Sequence, residues 1–359
     1  MTDKTNDPRF RSWIQVDPGS DFPLQNLPYG IISTEGKPPR AATRIGNTII
    51  DLKAIAAEGL LKNTGIDAGA FSGRTLNEMI AYGKPSWRKL RETLFDLFEE
   101  KNAVIRDHQD LKEKVLIPST SVEMLLPLQI GDYTDFYSSI DHAINLGKQF
   151  RDPANALLPN WRHLPVGYHG RSSSILVSGT PVFRPKGQTR PDDSHPPVFG
   201  PTRQLDYELE VAFITGRKTE NGDSVSTADA GDFIFGFVLF NDLSARDIQK
   251  WEYVPLGPFL GKDFASVISP WIVTADALEP FRVAGPLQDP PVLPYLSFCG
   301  NHHYDINLDI FIQPEGGEEY RVSRSNYKYL YWNIAQQLAH QTVNGCNLNV
   351  GDLYASGTI

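Results

Sequence analysis

Between residues 205 and 213 the chain reads LDYELEVAF, in which Tyr207, Leu209, Val211 and Phe213 alternate with Asp206, Glu208, Glu210 and Ala212. A period of two predicts a half-buried β-strand. Its polar face sets Glu208 and Glu210 roughly 7 Å apart, at about 3.3 Å of rise per residue, with no Lys or Arg between them. Either water solvates that face, as antiparallel sheets commonly allow, or a cation lies over it. From residue 130 onward, other short apolar runs (ILVSG, SPWIVT, YDINLDIFI) are punctuated by Gly and Pro, which predicts a β-rich domain. DFIFGFVLFND is apolar on both faces and therefore reads as a core strand, with Asp242 at its end.

Helical spacing is rarer. In SWRKLRETLFDLFEE, Trp87, Leu90, Leu94, Leu97 and Phe98 fall on one stripe, which predicts an amphipathic helix packed on a core. SNYKYLYWNIAQQLAHQTVNG predicts a second, with Tyr327, Leu330, Tyr331, Ile334 and Leu338 on one face and Gly345 ending it. In DYTDFYSSIDHAINLGKQFR a helix starting near Ser138 would turn Phe136, Ile140, Ile144 and Phe150 to the core and His142 elsewhere. Pro118 and Pro127 bracket a change of composition, so the expected domains are 1–118 and 119–359. Two long irregular stretches, DPANALLPNWRHLPVGYHGR and RPKGQTRPDDSHPPVFGPTR, exceed ordinary loop length.

At 359 residues with 40% hydrophobic positions, the chain has enough apolar side chains for two ordinary cores. A formal charge of -9 leaves no basic field for phosphates, which argues against a nucleic-acid partner. Cys299 and Cys346 lie outside any C-x-x-C spacing and are expected to be reduced, buried thiols. The N-terminal MTDKTNDPRFRSW lacks an apolar core, and no stretch reaches the roughly 18 apolar residues of a membrane span. The expectation is a cytoplasmic protein without a membrane partner.

Familiar catalytic signatures are missing. GPFLGKDF places three residues between Gly257 and Gly261 where a phosphate loop needs four, and Asp263 stands where a Ser or Thr would bind magnesium. No G-x-S-x-G, G-x-G-x-x-G or H-E-x-x-H occurs. What remains is a set of scattered polar residues with two readings each. Glu208 and Glu210 face water or join a hard-cation site, with Asp242 as a further ligand or, with Ser244, as the cap of a helix at SARDIQKW. His142 is a solvated side chain or a base of suitable pKa, and a helix that included Asp135 would bring the two onto one face. Arg246 and Gln249 share a helix face, as exposed polar neighbours or as donors into a pocket, and Lys262 sits in a turn, normally a solvent site.

The runs GDYTDFYSS, NALLPNW, HLPVGYHGRSSSI, PPVFG, NDLSARDIQKWEYVPLGPFLGKDF, ISPW, RSNYKYLYW and VNGCNLNVGDLYASGTI resemble the fumarylacetoacetate hydrolase family over most of the chain from residue 130. The resemblance implies a mainly β (α+β) fold, with a small SH3-like N-terminal barrel followed by a mixed β-roll/sandwich catalytic domain. It implies that Asp135, Glu208, Glu210 and Asp242 hold Mg²⁺ and/or Ca²⁺, with Lys262 beside them. Ser266 takes a place where relatives have threonine and assist ion binding. His142 would activate water; Arg246, Gln249 and Lys262 would line an oxyanion site. Tyr137, Arg151, Tyr168, Gln249, Tyr253 and Thr358 match substrate-contacting positions.

The implied reaction is metal-dependent hydrolysis of the carbon–carbon bond of 4-fumarylacetoacetate, the last step of tyrosine and phenylalanine catabolism, by a homodimer. It needs a base for water, donors for an alkoxide and a cation for an enolate. The fork of N–H groups on Arg151 suits a substrate carboxylate. Alternatives are a related decarboxylase, hydratase or acylpyruvate hydrolase, or a catalytically silent metal-stabilised protein. Relatives run for several tens of residues beyond ASGTI, with a glutamate that orients the histidine. A chain ending at Ile359 is therefore expected to be a truncated form of low activity.

Overall fold

In a computed structural model, residues 3–150, 152, 155–192 and 194–359 are described. The first unit is a five-stranded antiparallel sheet of β1 (Tyr29–Thr34), β2 (Lys37–Ile45), β3 (Thr48–Asp51), β4 (Leu116–Pro118) and β5 (Glu123–Leu125), ordered β4-β3-β2-β1-β5. The helix Lys84–Phe98 packs against it through the stripe expected from its spacing: Trp87, Leu90, Leu94, Leu97 and Phe98 are all buried.

The second unit is built on an eight-stranded sheet. Its members in chain order are β6 (Tyr133–Phe136), β7 (Gly167–His169) and β8 (Ile175–Val177); then, after the hairpin β9 (Lys186–Thr189) and β10 (Val198–Pro201) and the short β11 (Leu205–Asp206), come β12 (Leu209–Thr215) and β13 (Ile234–Asp242). Past β14 (Ser244–Ala245), which pairs with β11, lie β15 (Ser266–Ile268) and β16 (Val273–Thr274). Two ribbons, β17 (Arg282–Val283) with β18 (His303–Tyr304) and β19 (Asn307–Ile312) with β20 (Tyr320–Asn326), precede β21 (Leu353–Ala355). The order is β7-β6-β21-β12-β13-β15-β8, with β16 also on β13. Pairing is antiparallel except for β6 with β21 and β15 with β8.

Apolar layers cover this sheet on both sides. Ala212, Ile214, Val238 and Phe240 join the core of the first unit, while Val211, Phe213 and Phe237 pack on Tyr304, Tyr327 and Leu338. Tyr29 and Ile272 exchange two backbone hydrogen bonds, 2.9 and 2.8 Å, across the two units.

Several local expectations change. The 205–213 strand is interrupted at Tyr207 and Glu208, whose N–H groups donate to the side-chain oxygens Asp206 Oδ1 and Asn241 Oδ1 instead of to a backbone carbonyl of a neighbouring strand. It is also buried on both faces from Glu210 onward rather than half-buried. The helix expected from residue 327 begins at Ile334. Before it, Tyr331 and Trp332 donate their N–H groups to the Ser138 carbonyl, which removes them from any helical ladder. Asn333 and Gln336 then form a reciprocal capping box, and Gly345 lies three residues past the helix with φ +88°. Within the stretch 184–203, Lys186–Thr189 and Val198–Pro201 pair as the hairpin β9–β10. Both cysteines are exposed, contrary to expectation, because each lies in a surface loop.

Candidate active site

The carboxylates meet because of sheet register. Asp135 on β6 lies opposite Ala355 of β21, which lies opposite Ala212 of β12; Glu210 stands opposite Phe240, and Asp242 opposite Ser266. Residues opposite one another share a face. Asp135, Glu210 and Asp242 therefore occupy one face at the end of three strands, and Glu208 sits across from Asp242, to whose N–H its carbonyl is bonded at 3.2 Å. One oxygen from each of Asp135, Glu208, Glu210 and Asp242 lies within 4.8 Å of the others, and all four residues are buried. The solvated-face reading of Glu208 and Glu210 fails on burial: they are 5% and 0% exposed.

Cations enter from the segment after β14. The helix Arg246–Glu252 starts at Ala245 with no side-chain cap, so neither Asp242 nor Ser244 caps it. Arg246 donates from Nη2 to Glu208 Oε1 (2.6 Å), from Nε to Asp206 Oδ2 (2.8 Å) and from Nη1 to Gln249 Oε1 (3.1 Å). Lys262 is not the solvent-exposed turn residue its surroundings suggest; it is 7% exposed. The Gly261 carbonyl accepts from Ala245 N–H, and a Cβ at Gly261 would come within 2.7 Å of Gln249, so glycine lets this turn lie against the helix. From there Lys262 Nζ donates to Glu208 Oε2 and, at 2.5 Å, to Asp242 Oδ2.

Electrostatics sets Glu208 apart from Asp135 and Glu210. Burial pushes the Glu208 carboxyl up, but Lys262 and Arg246 outweigh it and hold the group at about 2. Asp135 and Glu210 go the other way: burial, then neighbouring carboxylates, push both well above the ordinary range. One oxygen of each, Asp135 Oδ1 and Glu210 Oε1, accepts no hydrogen bond among the described residues. Buried carboxylate oxygens without donors are what a hard divalent cation would satisfy, so the residues fit a metal.

His142 lies in the first turn of the helix Ile140–Phe150, half-buried, its ring 5.4 Å from that of Tyr137 in edge-to-face contact. Asp135 is on the preceding strand, so the shared-helix-face argument does not apply. Burial lowers the pKa of His142, opposed by Glu208 and assisted by Arg246 and Lys262, which places the ring in the field of the site. Ser266 Oγ donates to Asp242 Oδ1 (3.0 Å) and Tyr168 OH to Asp242 Oδ2 (2.9 Å). Tyr253 is exposed and tied to Gln249 only through its backbone, and Thr358 follows Gly357 half-buried. Arg151 lies outside the described residues. Sequence reasoning missed Tyr133, whose OH donates to Asp135 Oδ2 (3.1 Å), and Gly357, whose N–H donates to Glu210 Oε2 (2.9 Å). The period of two in YTD, which puts Tyr133 and Asp135 on one face, was the available signal for the first.

This fold and site define a class: a two-unit, sheet-based protein with a buried carboxylate centre compatible with a divalent cation. Within that class, residues 133–359 match the family model "Fumarylacetoacetate (FAA) hydrolase C-terminal" and residues 25–127 match "Fumarylacetoacetase N-terminal". The chain is 51% identical to the fumarylacetoacetases of Rattus norvegicus and Homo sapiens over 354 residues, covering 97% of this chain and 84% of theirs. It is 49% identical to that of Oryza sativa over 355 residues, 97% of this chain and 83% of the other. A solved fumarylacetoacetate hydrolase from Exiguobacterium antarcticum shares the fold, with a TM-score of 0.54 at 19% identity, over 92% of this chain and 86% of that one. The chain belongs to the fumarylacetoacetate hydrolase family, and it is a hydrolase. Among the described residues no helix is long and apolar enough to cross a membrane.

Proposed function

We propose that this protein hydrolyses the carbon–carbon bond of 4-fumarylacetoacetate, giving fumarate and acetoacetate, with Mg²⁺ or Ca²⁺ in the carboxylate site. The observation that carries this reading is the buried four-carboxylate cluster with cationic donors bonded to it. A bound divalent cation would supply charge that orients two carbonyl oxygens and takes up the negative charge of a departing enolate.

The chain's own groups account for the rest. His142, its pKa lowered, is neutral at pH 7 and can take a proton from water as the water oxygen adds to the carbonyl carbon. Donors are available for the resulting alkoxide. Among the described residues, Lys262 uses two of its three N–H bonds, on Glu208 and Asp242, and Arg246 three of its five. Gln249 accepts from Arg246 through Oε1, and among the described residues its NH₂ is available to donate. When the carbon–carbon bond breaks, its electron pair leaves on carbon, and the proton held by His142 returns there. Arg151, with Tyr137, Tyr168, Tyr253 and Thr358, is assigned to the substrate's carboxylate and backbone.

The same reading places the reaction at the end of tyrosine and phenylalanine breakdown, in the cytoplasm, in a homodimer. Support for the dimer comes from the exposed apolar stretch Val254, Leu256 and Phe259, which follows the Arg246 helix, and from Phe183 and Phe199 on and beside the hairpin packed on that helix. The test is the loss of fumarylacetoacetate absorbance by purified protein, after chelation and after adding back each cation. Turnover restored by metal and abolished by His142→Ala is expected. A metal-dependent rise in melting temperature without turnover would support the silent metal-stabilised alternative and reject the catalytic one.

A further inference from the structure

Every carboxylate of the cluster has at least one oxygen already engaged by a protein donor. Glu208 accepts from Arg246 on Oε1 and Lys262 on Oε2; Asp242 accepts from Ser266 on Oδ1 and from Lys262 and Tyr168 on Oδ2. Glu210 accepts from Gly357 N–H on Oε2, and Asp135 from Tyr133 OH on Oδ2. Only Asp135 Oδ1 and Glu210 Oε1 are left without a donor among the described residues.

Of these donors, Tyr133 is a core residue whose hydroxyl reaches Asp135. Its ring is 3% exposed and tilted against Phe240 at 5.3 Å. A Cβ at Gly170 would lie 2.0 Å from the ring, so this seat exists only because residue 170 is glycine. A buried ring packed against Phe240 and Gly170 holds its hydroxyl in one place. A phenol donates one hydrogen bond, and here it goes to a single carboxylate oxygen.

We propose that Tyr133 is a positioning residue that makes Asp135 a one-oxygen ligand and thereby biases the site between divalent cations. The inference rests on the metal-site reading above and deepens it. Mg²⁺ takes six ligands in near-ideal octahedral geometry, whereas Ca²⁺ takes six to eight and accepts carboxylates through both oxygens. With Oδ2 occupied, Asp135 offers the geometry that suits the smaller ion. Freed of Tyr133, Asp135 could chelate through both oxygens, which only the larger ion exploits.

The experiment is calorimetric titration of the full chain, stripped with chelator, with Mg²⁺ and separately with Ca²⁺, for wild type and Tyr133→Phe. The variant keeps the ring and loses only the hydroxyl. Mg²⁺ affinity is expected to fall by about tenfold, the scale seen when a group that orients a metal ligand is removed, and Ca²⁺ affinity by clearly less. An equal loss for both ions would show a merely structural role, and no loss for either would remove Tyr133 from the site; each overturns the inference. Should Tyr133→Phe fail to fold, Phe240→Leu, which keeps the hydroxyl but loosens its seat, is expected to show the same asymmetry at smaller size, and a symmetric response overturns it. Cation binding is read without substrate. A chain that shows the asymmetry yet leaves fumarylacetoacetate intact would retain this inference and reject the catalytic reading.

Discussion

Lys262 shows how one residue's surroundings reverse its ordinary behaviour. Burial alone would strip a lysine of its proton, but Asp242, Glu208 and Asp135 push its pKa above the usual lysine range, so it stays charged inside the cluster. Replacing it by methionine would leave Glu208 and Asp242 facing each other with no ammonium between them. Lys262→Met is expected to destabilise the chelated protein by about 3 kcal/mol, the cost of breaking a buried pair from one side, and divalent metal should recover part of that loss. Denaturant melts with and without metal test both halves. At His142 the relevant quantity is pH. A base must be neutral to accept a proton, and its pKa is lowered from 6.5, so the acid limb of kcat/KM is expected to fall below pH 6.5. A limb above pH 6.5 would assign the base elsewhere.

At the scale of elements, capping and register outweigh spacing. The apolar stripe from Tyr327 to Leu338 has helical periodicity, yet the helix waits for Asn333, because the backbone before it is committed to Ser138 and to His303. His303 on β18 holds the Leu330 carbonyl at 2.9 Å in this turn. Burial, with some repulsion from His302, lowers its pKa to about 4. A histidine depressed on folding adds stability that is complete above its unfolded pKa near 6.5 and is lost as pH falls toward 4. The loss amounts to about 3 kcal/mol by pH 4, and His303→Gln is expected to flatten that part of the stability–pH curve. Parallel curves for the two proteins would locate the acid sensitivity in other groups.

Over the whole molecule, the two units share one apolar core, so the first unit supports the sheet that carries the site. The Val254–Phe259 stretch is one of the apolar segments left exposed, with Leu256 at 97% exposure. Leu256→Glu is expected to turn a dimer into monomers in sedimentation with little effect on the monomer's melting temperature, since this side chain touches little within its own chain. A wild type that already sediments as a monomer would reject the dimer.

Much of this was legible along the chain. Local pattern identified the helix Lys84–Phe98, the core strand ending at Asp242 and the β-rich second unit, because hydrophobic periodicity depends on neighbours a few residues apart. It also picked out Glu208 and Glu210 as an unusual pair with Asp242 as a candidate third ligand, and the family resemblance added Asp135. Convergence was a different matter. Asp135 reaches Glu210 and Asp242 only through the pairings of β21 with β6 and with β12, between segments more than a hundred residues apart along the chain, and Lys262 joins them only because a glycine lets its turn close on a helix. The sequence by itself determined the elements and the chemical inventory. The tertiary structure alone decided which carboxylates are buried together, which cations reach them and which oxygens remain free, since burial and electrostatic coupling depend on distance in space.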